Sequence, residues 1–122
     1  MAKNMEIALL FDFYGDMLTD KQRDVVELYY NDDLSLAEIA ENEGITRQGV
    51  RDSIKRAESQ LLEMEERLGL ARRFREMREG LDSIRDAARE IQELNSRFGS
   101  SREIQERAER IEKLSQKMAE DS

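Results

Sequence analysis

Along most of the chain the apolar residues return in steps of three and four, and no stretch of useful length alternates with period two. A helix with one apolar face needs the first pattern and a half-buried strand needs the second. The expectation is an all-α fold with no sheet.

Capping residues and glycines divide this periodicity into segments. A first helix is predicted from about Asn4 to Tyr14 on Met5, Ala8, Leu9, Leu10 and Phe13, with Gly15 as its stop. Thr19 and Gln22 form a capping box for a second helix, which carries Val25, Val26, Leu28, Tyr29 and Tyr30 and ends at Asn31-Asp32-Asp33. Ser35 and Glu38 box a third, short helix with Leu36, Ile39 and Ala40, which breaks at Glu43-Gly44. Thr46 caps a fourth, whose inward positions are Val50, Ile54, Ala57, Leu61, Met64 and Leu68, up to a C-cap at Gly69. Beyond it the pattern restarts out of phase at Leu70, Phe74, Met77, Leu81, Ile84, Ala88, Ile91, Asn95 and Phe98, running through Gly80 without a slip. Gly99 ends that helix, Ser100 and Glu103 form another box, and Ile104, Ala108, Ile111, Leu114 and Met118 line a last one.

Leu, Ile, Val and Phe supply 19 of the first 70 residues but only 9 of the last 52, below the level of an independent globule. In those 52 residues Ala, Glu, Lys, Leu and Arg account for 29, the composition of paired or exposed helices. The chain is therefore expected to divide into a globular head, residues 1–69, and a helical tail, residues 70–122. In the tail, residues 104–118 can fold back on the long helix as a hairpin. Such a hairpin leaves part of its apolar stripe in water unless two copies pack together, so a homodimer is expected. Asn95, polar at a seam position, suits the fixing of register and partner number.

With no Cys and no His, the chain has no disulfide, no thiolate nucleophile and no imidazole base or ligand. No paired nucleophile and base and no phosphate-cradling glycine loop is visible, so neither an enzyme nor a cofactor is expected. Asp12, Asp16 and Asp20 recur every four residues, but Gly15 interrupts them, and they read as a solvated acidic edge, not a metal site. The longest apolar run, Ile7 to Phe11, is far too short for a membrane span, and Met1-Ala2-Lys3 leads into no signal-peptide core. The reading is a soluble cytoplasmic protein without membrane insertion.

The net charge is -8, yet residues 46–60 carry four basic and two acidic groups. That stretch lies in the one constellation well above background: helix three, a turn at Gly44, and helix four, with small Ala40 where two helices cross and Ile45, Val50 and Ile54 between them. This is helix-turn-helix spacing. If Val50, Ile54 and Ala57 face inward, then Arg47, Gln48, Arg51, Asp52 and Lys55 face outward near a helix N-terminus, where Arg and Gln can reach base edges or phosphates. Thr46, Arg47, Gln48, Arg51, Lys55 and Arg56 are the candidate nucleic-acid-binding residues. Asp52 and the acidic head oppose a phosphate backbone unless they are held apart from these cations. Tyr29 and Tyr30 read as core residues, and Arg72, Arg73, Arg75 and Arg78, interleaved with Glu76 and Glu79, as intrahelical ion pairs.

Leu18-Thr19-Asp20-Lys21-Gln22-Arg23, Leu28-Tyr29-Tyr30, Ser35 to Ala40 and Thr46-Arg47-Gln48-Gly49-Val50 resemble region four of bacterial sigma factors. Together with Leu9 to Gly15 and Asp52-Ser53-Ile54-Lys55-Arg56, they resemble the YlxM family more closely, over roughly residues 5–70. One departure is Glu43, where such motifs more often carry an apolar residue. The resemblance implies a small cytoplasmic helix-turn-helix protein, usually encoded beside the signal recognition particle GTPase and for that reason inferred to act in that targeting pathway as a regulator. The partners it implies are nucleic acid, either DNA or the particle RNA, and the particle GTPase itself. Two further readings stand beside it: a DNA-binding transcriptional regulator, with Arg47, Gln48 and Arg51 in a major groove, and a protein adaptor that binds no nucleic acid, as the net charge allows.

Overall fold

The computed structural model describes residues 3–121. Six α-helices follow one another: α1 Met5–Tyr14, α2 Asp20–Val26, α3 Leu36–Glu43, α4 Arg47–Leu68, α5 Leu70–Phe98 and α6 Arg102–Glu120. Among the described residues there is no strand. The chain forms two compact units that divide after Ala71, the second residue of α5.

In the first unit the expected caps are in place. Thr19 and Ser35 each accept from the backbone N–H three residues on, and Gln22 and Glu38 reach back to complete both boxes. Those bonds hold the Glu38 carboxyl below the usual range. Thr46 accepts from Gly49 N–H to start α4. Gly44 and Gly69 end α3 and α4 with φ of 68° and 62°, a conformation in which any Cβ is strained.

Two corrections apply to the first helix and to α4. α1 ends at Tyr14 with Gly15 as its C-cap, as expected, but not through a left-handed turn: the φ of Gly15 is -56°, and the chain continues into a 3₁₀ turn, Gly15–Met17. A Cβ there would lie 3.3 Å from the Phe11 ring, tighter than ordinary contact, so the ring would have to give by a few tenths of an ångström. Leu68, expected inward, is 46% exposed, while Ala71 joins the core beside Leu61. The last turn of α4 outruns the elements that cover Leu61.

One irregularity had no sequence signal. After Val26 the second helix widens into a π-helical turn, Glu27–Asn31, closed by Asp32 N–H donating to Glu27 C=O. The extra residue lets adjacent tyrosines serve different cores. Tyr29 packs with Val25, Ile39, Val50 and Ile54, while Tyr30 touches both clusters and donates to Glu58 Oε2 at 2.7 Å.

The passage from α4 to α5 takes a single residue, and α5 starts without a side-chain cap of its own. Tyr14 and Glu65 supply the missing partners. The buried Tyr14 hydroxyl donates to Glu65 Oε1 at 2.6 Å and accepts from Leu70 N–H at 3.0 Å, and Ala71 N–H donates to the same carboxylate oxygen. Burial and the bond to Glu65 raise the Tyr14 pKa, and burial and Glu58 raise that of Tyr30.

The second unit is a helical hairpin. Here the expected box at Ser100 and Glu103 is replaced: Ser101 is the N-cap, accepting from Ile104 N–H, and Ser100 takes a left-handed φ of 66°. Asn95 causes the shift. Its amide donates to Ser101 C=O at 2.8 Å and accepts from Ser101 N–H at 3.0 Å, so this buried side chain closes its own turn instead of pairing across a coiled coil. Gly99 accommodates it, because a Cβ there would come within 2.8 Å of Asn95 Oδ1. Ala88, Ala108, Ser115 and Ala119 are buried, and Arg89 with Gln92 bonds Glu112 along one edge. Arg89 lowers the Glu112 pKa.

The intrahelical pairing expected of the arginines early in α5 is not made between Arg75 and Glu79, four residues apart. Glu63–Arg67 and Glu93–Arg97 do pair at that spacing. Order explains the difference: acid before base aligns with the helix dipole, and base before acid opposes it.

Three outcomes follow. Gly44→Val should lower stability by about 1–3 kcal/mol, while Gly44→Asn should lose much less, in chemical denaturation. Tyr14→Phe leaves Leu70 N–H unsatisfied and should cost about 1–3 kcal/mol. Because the folded state raises both tyrosine pKa values, their contribution is intact below about pH 10 and is lost as pH climbs above it, which alkaline thermal melts would register.

Candidate nucleic-acid interface

Helix α4 carries the candidate residues, and its buried stripe decides where they point. Val50, Ile54, Ala57 and Leu61 are inaccessible, packed against α1, α2 and α3. At 100° per residue, Arg47, Arg51 and Lys55 then fall in one row up one flank, with Gln48 beside them. All four are exposed, as is Thr46 at the cap. Among the described residues Arg47, Arg51 and Lys55 make no ion pair, so the row presents uncompensated positive charge.

Arg56 belongs elsewhere. It is exposed on the opposite flank and, with Gly49, Asp52, Ser53 and Ile45, lines a groove of about 480 Å³ whose other wall is Thr19, Lys21 and Gln22 at the start of α2. The six candidates are therefore two groups. Lys21, Gln22 and Ser53 were not among the binding candidates, because periodicity gives the azimuth of a residue on its helix but not which neighbour stands on that side.

Asp52 separates the groups. Its Oδ1 accepts from Gln48 Nε2 at 2.9 Å, which holds the glutamine along the helix and puts a carboxylate between the cations. A Cβ on Gly49 would sit 3.1 Å from Thr46 Oγ1, a tight contact with the same cap. Glu43, the departure in the motif, is half-buried, and the turn still closes with Ile45 N–H on Ala40 C=O.

Residues 1–100 match the family described as "Putative helix-turn-helix protein, YlxM / p13 like", UPF0122. The chain belongs to the YlxM / p13-like family. It is similar to a UPF0122 protein of Thermoanaerobacter sp. (strain X514), 55% identical over 76 residues, which cover 62% of this chain and 65% of that protein. One from Acetivibrio thermocellus is 54% identical over 74 residues, covering 61% and 63% of the two chains. A third, from Symbiobacterium thermophilum, is 49% identical over 83 residues, covering 62% and 78%. The chain thus spans just under two thirds of the first two relatives. The YlxM / p13-like family is described as one of helix-turn-helix proteins. No helix among the described residues is long and apolar enough to cross a membrane.

Asp52→Ala removes the carboxylate from the face and frees Gln48. If the face meets phosphates, affinity for a nucleic-acid duplex should rise several-fold in fluorescence anisotropy, with helicity unchanged.

Proposed function

We propose that this protein is a nonenzymatic, cytoplasmic accessory or regulatory factor of the signal recognition particle pathway, that the Arg47, Arg51 and Lys55 flank of α4 binds nucleic acid, and that the tail makes it a homodimer. The observation that carries the binding half is the unpaired cationic row on a helix whose azimuth is fixed by burial. Unpaired Lys and Arg at four-residue spacing follow a phosphate strand and release its counterions on contact. The pathway rests on the family resemblance, which brings the particle RNA and its GTPase forward as partners.

A second reading is a transcriptional regulator that binds DNA. It is favoured by Arg47 and Gln48 in the first turn of the second helix of the motif, where such helices present base-reading side chains to a major groove.

Binding of duplex DNA, particle RNA and the GTPase, each measured over a salt series, separates these readings. Arg47→Ala with Arg51→Ala should keep the fold, weaken nucleic-acid binding and reduce the salt slope by roughly 2. Arg56→Ala, on the other flank, should change it little. An unchanged slope in the double variant removes this row from the interface, and binding of the GTPase alone removes nucleic acid from the reading.

A further inference from the structure

The tail hairpin has two unlike edges. One is polar and internally satisfied: Arg89 and Gln92 of α5 bond Glu112 of α6, and Gln105 bonds Gln92. The other is apolar and partly exposed. On α5, Met77, Ile84, Ile91 and Phe98 recur every seven residues and are 48%, 49%, 42% and 81% exposed. On α6, Ile104, Ile111 and Met118 do the same at 48%, 43% and 47%. Between the helices, Leu81, Ile84, Ile111, Leu114, Ser115 and Met118 line a groove of about 160 Å³. Its one polar member, Ser115, spends its hydroxyl on the carbonyls of Ile111 and Glu112.

Sustained seven-residue repeats on two adjacent helices make the surface of half a four-helix bundle, with the pairing seam at Leu81, Ala88 and Asn95 already filled. A glycine points the same way. Gly80 sits inside α5, where it costs about 1 kcal/mol relative to Ala. Nothing in the chain requires it, because a Cβ there would meet nothing within 4 Å. With Ser83 and Ala87, also exposed, it leaves the ridge beside Ile84 low, as a close approach by another helix would need.

We infer that this face is covered by a second copy of the chain, two hairpins packing about a two-fold axis into a four-helix bundle. The inference deepens the self-association in the function proposed above. A second copy brings the same repeats at the same spacing, so the two stripes match in length and period. Residues 72–122 hold twelve basic and twelve acidic groups, a balance that does not repel an identical surface. The area is sufficient. Covering the nine exposed large apolar side chains of the hairpin, residues 72–122, would remove roughly 700 Å² from each chain, about 1,400 Å² in all, the size of a standard specific interface.

Sedimentation of the full chain from low to high micromolar concentration tests this, with nucleic-acid binding by the head measured separately so that either half of the proposal can fail alone. The expected result is a dimer. Ile84→Glu with Ile111→Glu should raise its dissociation constant at least a hundredfold while circular dichroism keeps the helical signal, since both side chains face water in the single chain. Gly80→Gln should weaken the dimer at least tenfold while leaving the helix as stable or more so, because it adds a helix former in open space. A full chain that stays monomeric throughout overturns the inference, and so does a dimer whose constant is unmoved by either variant.

Discussion

The first unit depends on four side chains of α4. Val50, Ile54, Ala57 and Leu61 are inaccessible to water, and two core clusters meet on them: Ile7, Leu10, Phe11 and Tyr14 against Ala57 and Leu61, and Val25, Tyr29 and Ile39 against Val50 and Ile54. Fully burying a large aliphatic side chain contributes about 1.5–3 kcal/mol, whereas an exposed ion pair contributes about 0–1. The apolar stripe therefore sets the rotation of α4 about its axis, and the charged residues take the directions that remain. Arg47, Arg51 and Lys55 share a flank because Val50 and Ile54 do not.

Buried polar groups fix the joints that the apolar stripes leave loose. Where α4 passes to α5 through Gly69 alone, the orphan N–H groups of Leu70 and Ala71 would be costly without partners, and Tyr14 from the first helix supplies the hydroxyl that, with Glu65, satisfies them. In the hairpin the corresponding task falls to Asn95, which pairs with both the N–H and the C=O of Ser101. Both joints use a side chain distant from the turn in sequence or a full helical turn away. The Tyr14 bonds span more than fifty residues and exist only where α1 packs on α4.

That dependence explains what could be read from the residues alone. Thr19, Ser35, Thr46, Gly44 and Gly69 act within three or four residues of themselves, so their caps and stops were legible from order and type. The α4 stripe was legible as far as Leu61 because periodicity encodes azimuth, but not at Leu68, where exposure depends on how far the other helices reach. Gly15 was legible as the stop of α1, but neither its right-handed φ nor its closeness to the Phe11 ring was. The π-helical turn at Glu27–Asn31 reconciles two tyrosines with two cores, a requirement that exists only in three dimensions. In the candidate site, the exposure of Arg47, Gln48, Arg51 and Lys55 followed from the stripe, whereas the separation of Arg56 into a groove with Lys21 needed the position of α2.

Charge sets the terms on which this face can meet a polyanion. Residues 1–45 carry 11 acidic groups against three basic ones, so the long-range field of the head repels phosphate, and only within about a Debye length, roughly 8 Å at physiological ionic strength, can the row on α4 prevail. Three cations release few counterions, and one row alone would bind weakly and be easily displaced by salt. Two rows carried by the dimer proposed above would change that arithmetic. The second contact becomes intramolecular, and avidity can exceed the single-site affinity by about 10²–10⁴ wherever the spacing of the rows allows both to engage. An acidic helix-turn-helix chain with a short cationic row thus has a physical reason to carry an association element, and the apolar stripe on the tail is the part of its sequence that would supply one.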